Sequence, residues 1–134
     1  MVGTLTPNDL LPGTHALLDA LRQAKWKLAL CSSSRNARTI CTRLGILDLF
    51  DAVVDGTEVT HSKPHPEIFI KAARKLGLYP GDCVVFEDAQ AGIDAAKFAG
   101  AAAVGITGAG HSLLGADLLV PGLQSVSVEA LHKI

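Results

Sequence analysis

No apolar run in this 134-residue chain reaches the length that spans a bilayer, so no membrane partner is expected. Basic residues are in no excess: 12 Lys and Arg stand against 13 Asp and Glu, a formal net charge of −1. That balance lacks the electrostatic footprint of a nucleic-acid binder. Cysteine is scarce. The three residues Cys31, Cys41 and Cys83 form no CxxC pair and lie inside apolar patterns. A zinc site is therefore not expected, and the odd number reads as reduced core thiols of a cytoplasmic protein. The opening MVGTLTPNDLLPG does not have the basic-then-apolar order of a secretory signal. Low-complexity segments, linkers and a second domain are also missing. What is present is a chain 49% hydrophobic with a mean hydropathy of +0.32, enough to build one buried core.

The apolar residues follow a repeating grammar. Leu17, Leu18, Leu21 and Ala24 share a helical face, with a start signal at residues 12–14. KLALC (27–31) has strand length. Ala37, Ile40, Cys41 and Leu44 recur at helical spacing before a stop at Gly45. DAVVD (51–55) is a second strand. Pro66 suits the first turn of a helix with Ile68, Phe69, Ala72, Ala73 and Leu76 on its apolar face. Lys71, Arg74 and Lys75 put positive charge toward its carboxyl end, and Gly77 closes it. DCVVF (82–86), an alanine-rich helix over 90–99, AAAVGI (101–106), DLLV (117–120) and a closing helix over 128–134 complete the pattern. Continuously apolar strands alternating with helices predict βαβ units and a parallel sheet covered on both faces. Ligands of such sheets bind beyond the carboxyl ends of the strands, which selects the loops 32–36, 55–63, 87–90 and 107–112.

Each loop has two readings. In SSSRN, Ser32, Ser33, Ser34, Arg35 and Asn36 offer hydroxyl, amide and guanidinium donors that suit an anion such as phosphate. The alternative is that Ser34 or Asn36 simply caps the next helix. Lys63, in HSKPHPEIF, could neutralise a phosphoryl oxygen or be a surface lysine; His61 and His65 beside it are loop residues, because an intervening ammonium would repel a metal. In EDAQAG the adjacent Glu87 and Asp88 could serve Mg²⁺, one directly and one through water. Otherwise Asp88 caps the following helix and Glu87 is solvated. GITGAG (105–110) does not fit GxxxxGK[ST] and reads as a flexible connection.

Taken in order, LPG, LLDALR, LALCSSSRN, LFDAVVDGTEVTHSKPHPEIF and VVFEDAQAGIDAAKFAGAAAVGI resemble the haloacid dehalogenase superfamily, and within it the β-phosphoglucomutase-like branch. The likeness runs from about Leu5 to the carboxyl end. It implies a three-layer, Rossmann-like α/β core with a parallel sheet and a Mg²⁺-dependent transfer of phosphoryl groups through an aspartyl-phosphate. By the resemblance, Ser32 and Lys63 belong to the catalytic set, Ser32–Asn36 together with Lys63 hold phosphate, and Glu87 and Asp88 are the metal acids. A phosphorylated sugar or another small phosphate ester would be the substrate.

One departure matters. The family's nucleophile is the first Asp of a DxDGT/V segment, and this sequence has no DxD. FDAVVDGT (50–57) only mimics it, because Val53 stands two residues before Asp55 and the segment holds the family's third-strand position. The helical cap is missing too. The expectation is a single partial core domain over 1–134, with 1–12 as a cap-exit segment, lacking its central strand and with weak or no Mg²⁺ binding alone. KLALC and VVF would flank the vacant strand position. They could close on each other, accept residues 2–5, or receive a strand from a second copy or a missing amino-terminal portion. The chain is thus expected to be a phosphotransferase core that is inactive alone; the alternative is a non-catalytic phosphate-binding or interaction domain.

Overall fold

The computed structural model describes residues 14–43, 45, 47–108 and 112–134. In chain order it has helix α1 (Thr14–Gln23), strand β1 (Ala29–Cys31), helix α2 (Ala37–Arg43), β2 (Ala52–Val54), α3 (Glu67–Leu76), β3 (Val84–Glu87), α4 (Gln90–Ala99), β4 (Ala102–Ile106), β5 (Leu118–Val120) and α5 (Val128–His132). All strand pairs are parallel, as alternation with helices requires. The expected elements are all present with small shifts. The helix start at Pro12, the apolar Leu44 and residues 2–5 lie outside the described residues. Pro66 precedes α3 instead of opening it. The third strand begins two residues later than DCVVF implied: Pro80–Asp82 form a 3-10 turn whose Pro80 carbonyl takes the Cys83 N–H. That strand therefore runs on to Glu87, so the carboxylate is part of the sheet and not of the loop.

Side chains alternate strictly between two cores. Ala29, Cys31, Val54, Val85 and Ala103 point to the layer containing Phe69, Ala72, Ala73 and Ile93 of α3 and α4. Leu30, Val84, Phe86 and Val104 point to the opposite layer with Leu17, Leu18, Leu21, Cys41 and Leu131. β1 and β3 are thus buried on both faces and β4 over its middle, which explains why they read as unbroken apolar runs, whereas Leu119 of the edge strand β5 is exposed. No helix among the described residues is long and apolar enough to cross a membrane.

The middle layer is split. One ladder has the order β1-β2 and the other β3-β4-β5; β1 and β3 do not pair. Direct closure of KLALC on VVF, one of three expected outcomes, is therefore not adopted. The two ladders nevertheless share both core layers, so packing from the helices keeps them side by side. Backbone alternation says what faces the seam. Ser32 N–H donates to Val54 and Leu28 C=O accepts from Ala52, so the groups of Ala29 and Cys31 turn away from β2. Likewise Cys83 C=O accepts from Ala102, so Val84 and Phe86 turn away from β4.

Candidate active site at the strand ends

Ser32 leaves β1 buried, its N–H extending the ladder to Val54 at 3.0 Å. Its Oγ accepts the Ser34 N–H at 3.2 Å, and the Ser34 Oγ accepts the Asn36 N–H at 3.2 Å. The hydroxyls therefore brace the turn ahead of α2, the Ser34 Oγ bonding the Asn36 amide and not an N–H of the helix that the capping alternative named. A hydroxyl that accepts an amide proton still has its own O–H to donate, so Ser32 retains a donor for an anion. Ser33, Ser34, Arg35 and Asn36 are exposed.

The 55–63 loop packs directly on this turn. Gly56 N–H donates to the Ser34 carbonyl at 3.0 Å. A Cβ on Gly56 would lie 2.2 Å from the Ser33 carbonyl oxygen, so only glycine permits the approach. Asp55, the mimic of a nucleophile, is engaged otherwise. It is ion-paired to Arg38 at 2.7 Å and accepts from the Thr57 amide and hydroxyl. Burial alone would raise its carboxyl, but the Thr57 hydrogen bonds and the Arg38 guanidinium outweigh that and hold it below the ordinary range.

Lys63, at the far end of the loop, is neither solvated nor idle. Its Nζ lies 2.8 Å from Oε2 of Glu87 and 5.5 Å from the Phe69 ring centroid. The Glu87 side chain retains 5% of its exposure and that of Lys63 18%. The reading of Glu87 as a solvated carboxylate is thus overturned. Its cause is on α4: a Cβ at Gly92 would sit 1.9 Å from the Glu87 Cγ, so the carboxylate occupies the space a side chain there would fill. Burial pushes the Glu87 carboxyl above its ordinary value, the Lys63 ammonium opposes this, and the neighbouring Asp88 adds to the rise. Asp88 is exposed at the strand end. It is not the helix cap of the alternative reading, since Ala89 holds the cap position of α4 with no side-chain bond.

Cys31 is fully buried, its thiol pushed up to about 12 chiefly by burial, with Lys63 lowering and Glu87 raising it. All three cysteines are free and buried, as expected of core thiols. His61 and His65 stack at 4.3 Å on the exposed loop. Of the 107–112 loop, Thr107 N–H continues the β4-β5 ladder to Val120 at 2.9 Å; residues 109–111 lie outside the described residues.

Sequence reasoning missed Gln90. Its amide pairs both ways with the Leu114 backbone at 2.8 Å and reaches Asp94 at 2.9 Å, pinning the β4–β5 connection to the start of α4. Nothing local signals a contact across 24 residues.

Among the described residues no group of three or more His, Cys, Asp or Glu side chains gathers as a metal cluster. The oxygen donors at the rim are Glu87 and Asp88. A hard cation such as Mg²⁺ needs only one or two carboxylates and keeps its waters, so the donor type fits. Glu87, however, is already matched by Lys63, which makes Asp88 the more available oxygen donor of the two.

Parallel strands under two helical layers, with polar loops at the carboxyl ends, define a doubly wound α/β protein. The model of the haloacid dehalogenase-like hydrolase family matches residues 1–100, and the chain belongs to that family. Its likeness extends to β-phosphoglucomutases. That of Bacillus subtilis (strain 168) is 48% identical over 133 residues, covering 99% of this chain and 58% of that protein. The fructose-1-phosphate phosphatase YqaB of Escherichia coli (strain K12) is 45% identical over 75 residues, covering 56% of this chain and 40% of that protein. A crystal structure of β-phosphoglucomutase from Clostridium difficile superposes with a TM-score of 0.86 at 37% identity, covering 96% of this chain and 57% of that one. The chain thus spans less than two thirds of the length of these relatives.

Proposed function

We propose that this chain is the carboxyl-terminal core portion of a Mg²⁺-dependent phosphotransferase acting on a phosphorylated sugar or another small phosphate ester. It would be a mutase or phosphatase of β-phosphoglucomutase-like type working through an aspartyl-phosphate. The observation that carries this is the Lys63–Glu87 ion pair at 2.8 Å at the carboxyl end of β3, with the Ser32 turn at the carboxyl end of β1. In this reading the Ser32 hydroxyl donates to a phosphoryl oxygen, with the exposed Ser33–Asn36 turn gripping the same or a second phosphate. The Lys63 ammonium, held by Glu87, neutralises charge that develops on the phosphoryl group. Asp88, with Glu87 behind it, would hold Mg²⁺, which supplies further charge neutralisation when bound.

A carboxylate nucleophile is the part the 134 residues do not contain in DxD form. It would arrive on a parallel strand at the seam between β1 and β3, from an amino-terminal portion or a second chain. Alone, the chain would bind phosphate and turn nothing over.

Titration of the chain with inorganic phosphate and Mg²⁺, followed by the amide shifts of Ser32 and Asp88, tests the site. The Ser32 amide is expected to move saturably with phosphate and the Asp88 amide weakly with Mg²⁺, a response that Asp88→Ala abolishes. Flat titrations of both would refute the site. Mg²⁺-dependent hydrolysis or isomerisation of a sugar phosphate by the chain alone would refute the need for a further strand.

A further inference from the structure

Behind the two loops, outside the residues assigned above, four charged side chains close a ring. Arg38 lies two residues beyond the serine turn, in the first turn of α2. Its Nη1 donates to Asp55 Oδ2 at 2.7 Å; its Nη2 donates to the Val53 carbonyl at 2.8 Å and to Glu58 Oε1 at 3.2 Å. Glu58 Oε2 accepts the Asp55 N–H at 2.9 Å. Lys75, one element further on, donates to the same Val53 carbonyl at 2.8 Å and to Glu58 Oε1 at 2.6 Å. Lys71 donates to the Glu58 carbonyl. Two positive and two negative side chains thus tie the start of α2 to the end of β2, the start of the lysine loop and the outer face of α3.

The Arg38 side of this ring is open, its side chain 42% accessible against 5% for Asp55, and a pair screened on one side contributes modestly to stability. What it supplies is geometry. A guanidinium is a rigid planar fork, and its two prongs here reach three acceptors on β2 and the following loop. With both loops so held, Gly56 N–H meets the Ser34 carbonyl and no side chain fits between them. Along the chain, Ser32 opens the serine turn that Arg38 follows, and Lys63 closes the loop that Asp55 opens.

We infer that Arg38 is a positioning residue, which sets the spacing between the serine turn and the lysine loop so that Ser32 and Lys63 address one phosphoryl group. The inference rests on the phosphate-site reading above. Arg38→Lys keeps the charge and loses the fork, so it isolates geometry from stability; Asp55→Asn removes the opposite partner. In both, far-ultraviolet circular dichroism is expected to stay as in the parent chain, and in Arg38→Lys so is exchange at the Val104 amide of β4. The Gly56 amide is expected to exchange roughly tenfold faster, and affinity for inorganic phosphate to fall roughly tenfold. Unchanged Gly56 protection in folded Arg38→Lys overturns the inference. So does lower thermal stability of both variants with phosphate affinity intact, the signature of a merely structural pair. A parent chain that binds no phosphate, with the Gly56 amide still released in Arg38→Lys, would overturn the phosphate reading alone and leave the loop-spacing role standing.

Discussion

Lys63 and Glu87, 24 residues apart, meet at 2.8 Å with both side chains largely withdrawn from water. An ion pair so buried is costly to break one side at a time. Taking away one partner strands the other charge and costs roughly 3–5 kcal/mol, whereas removing both can be nearly neutral. Lys63→Met is therefore expected to destabilise the chain strongly in urea unfolding, and Lys63→Met/Glu87→Gln to recover most of the loss. Additive effects in that double-mutant cycle would mean that the two groups do not depend on each other.

Gly92 determines where the Glu87 carboxylate can lie. The Cβ of Gly92→Ala would sit 1.9 Å from Cγ and 2.1 Å from Oε2 of Glu87, so the side chain must swing off α4 and away from Lys63. Overpacking of this kind costs about 1–3 kcal/mol. The flexible end of Glu87 can yield, so folding is expected to survive while the response of Asp88 to Mg²⁺ weakens. Gly56→Ala is expected to be worse, because the atom it meets at 2.2 Å is the Ser33 backbone oxygen, which cannot yield alone. Unfolding midpoints of the two variants give the comparison.

How much of this was legible beforehand follows from the reach of each signal. Helix α4 was readable to the residue, since its alanine-rich run and the Gly100 stop are local. The rim loops were readable too, because parallel crossovers bring every strand's carboxyl end to one edge. Lys63 and Glu87 were each singled out, but their pairing was not, since topology names the rim and not the partners across it. The burial of Glu87 depends on the missing side chain of Gly92, which resembles any small residue in an alanine-rich helix. Lys75 was read as complementing the end of α3 and Asp55 only as a false nucleophile. Their real partners, Glu58 and Arg38, come from other elements and leave no local trace.

Acid should reveal the ring around Arg38. The carboxyl of Asp55 is lowered against burial by Thr57 and Arg38, and that of Glu58 by Lys75, the Asp55 amide and Arg38. A carboxyl whose folded value lies below its unfolded one adds stability above the unfolded value, and that stability is lost as pH falls through the folded one. The chain is thus expected to weaken below the ordinary carboxylate range. Asp55→Asn and Glu58→Gln should each be less stable at neutral pH and flatten the slope in acid. Urea unfolding across that range reads the slopes, and an unchanged slope in both variants would assign the acid response to other groups, such as Asp117, also lowered by Lys97 and the Ala103 amide.

The seam between β1 and β3 makes the sharpest demand. If a parallel strand belongs there, it must bond to the backbone groups that alternation turns toward it: Ala29 and Cys31 on one side, Val84 and Phe86 on the other. A synthetic apolar peptide containing a DxDGT segment, added to the chain, is expected to slow amide exchange at Cys31 and Phe86. The amides of Leu30 and Val85 face existing ladders and should hold their rates. Protection spread evenly over both sets would indicate general stabilisation and not strand addition. No protection at Cys31 and Phe86 at saturating peptide would remove the seam as the nucleophile's place, because a docked strand cannot leave those N–H groups exchanging as before.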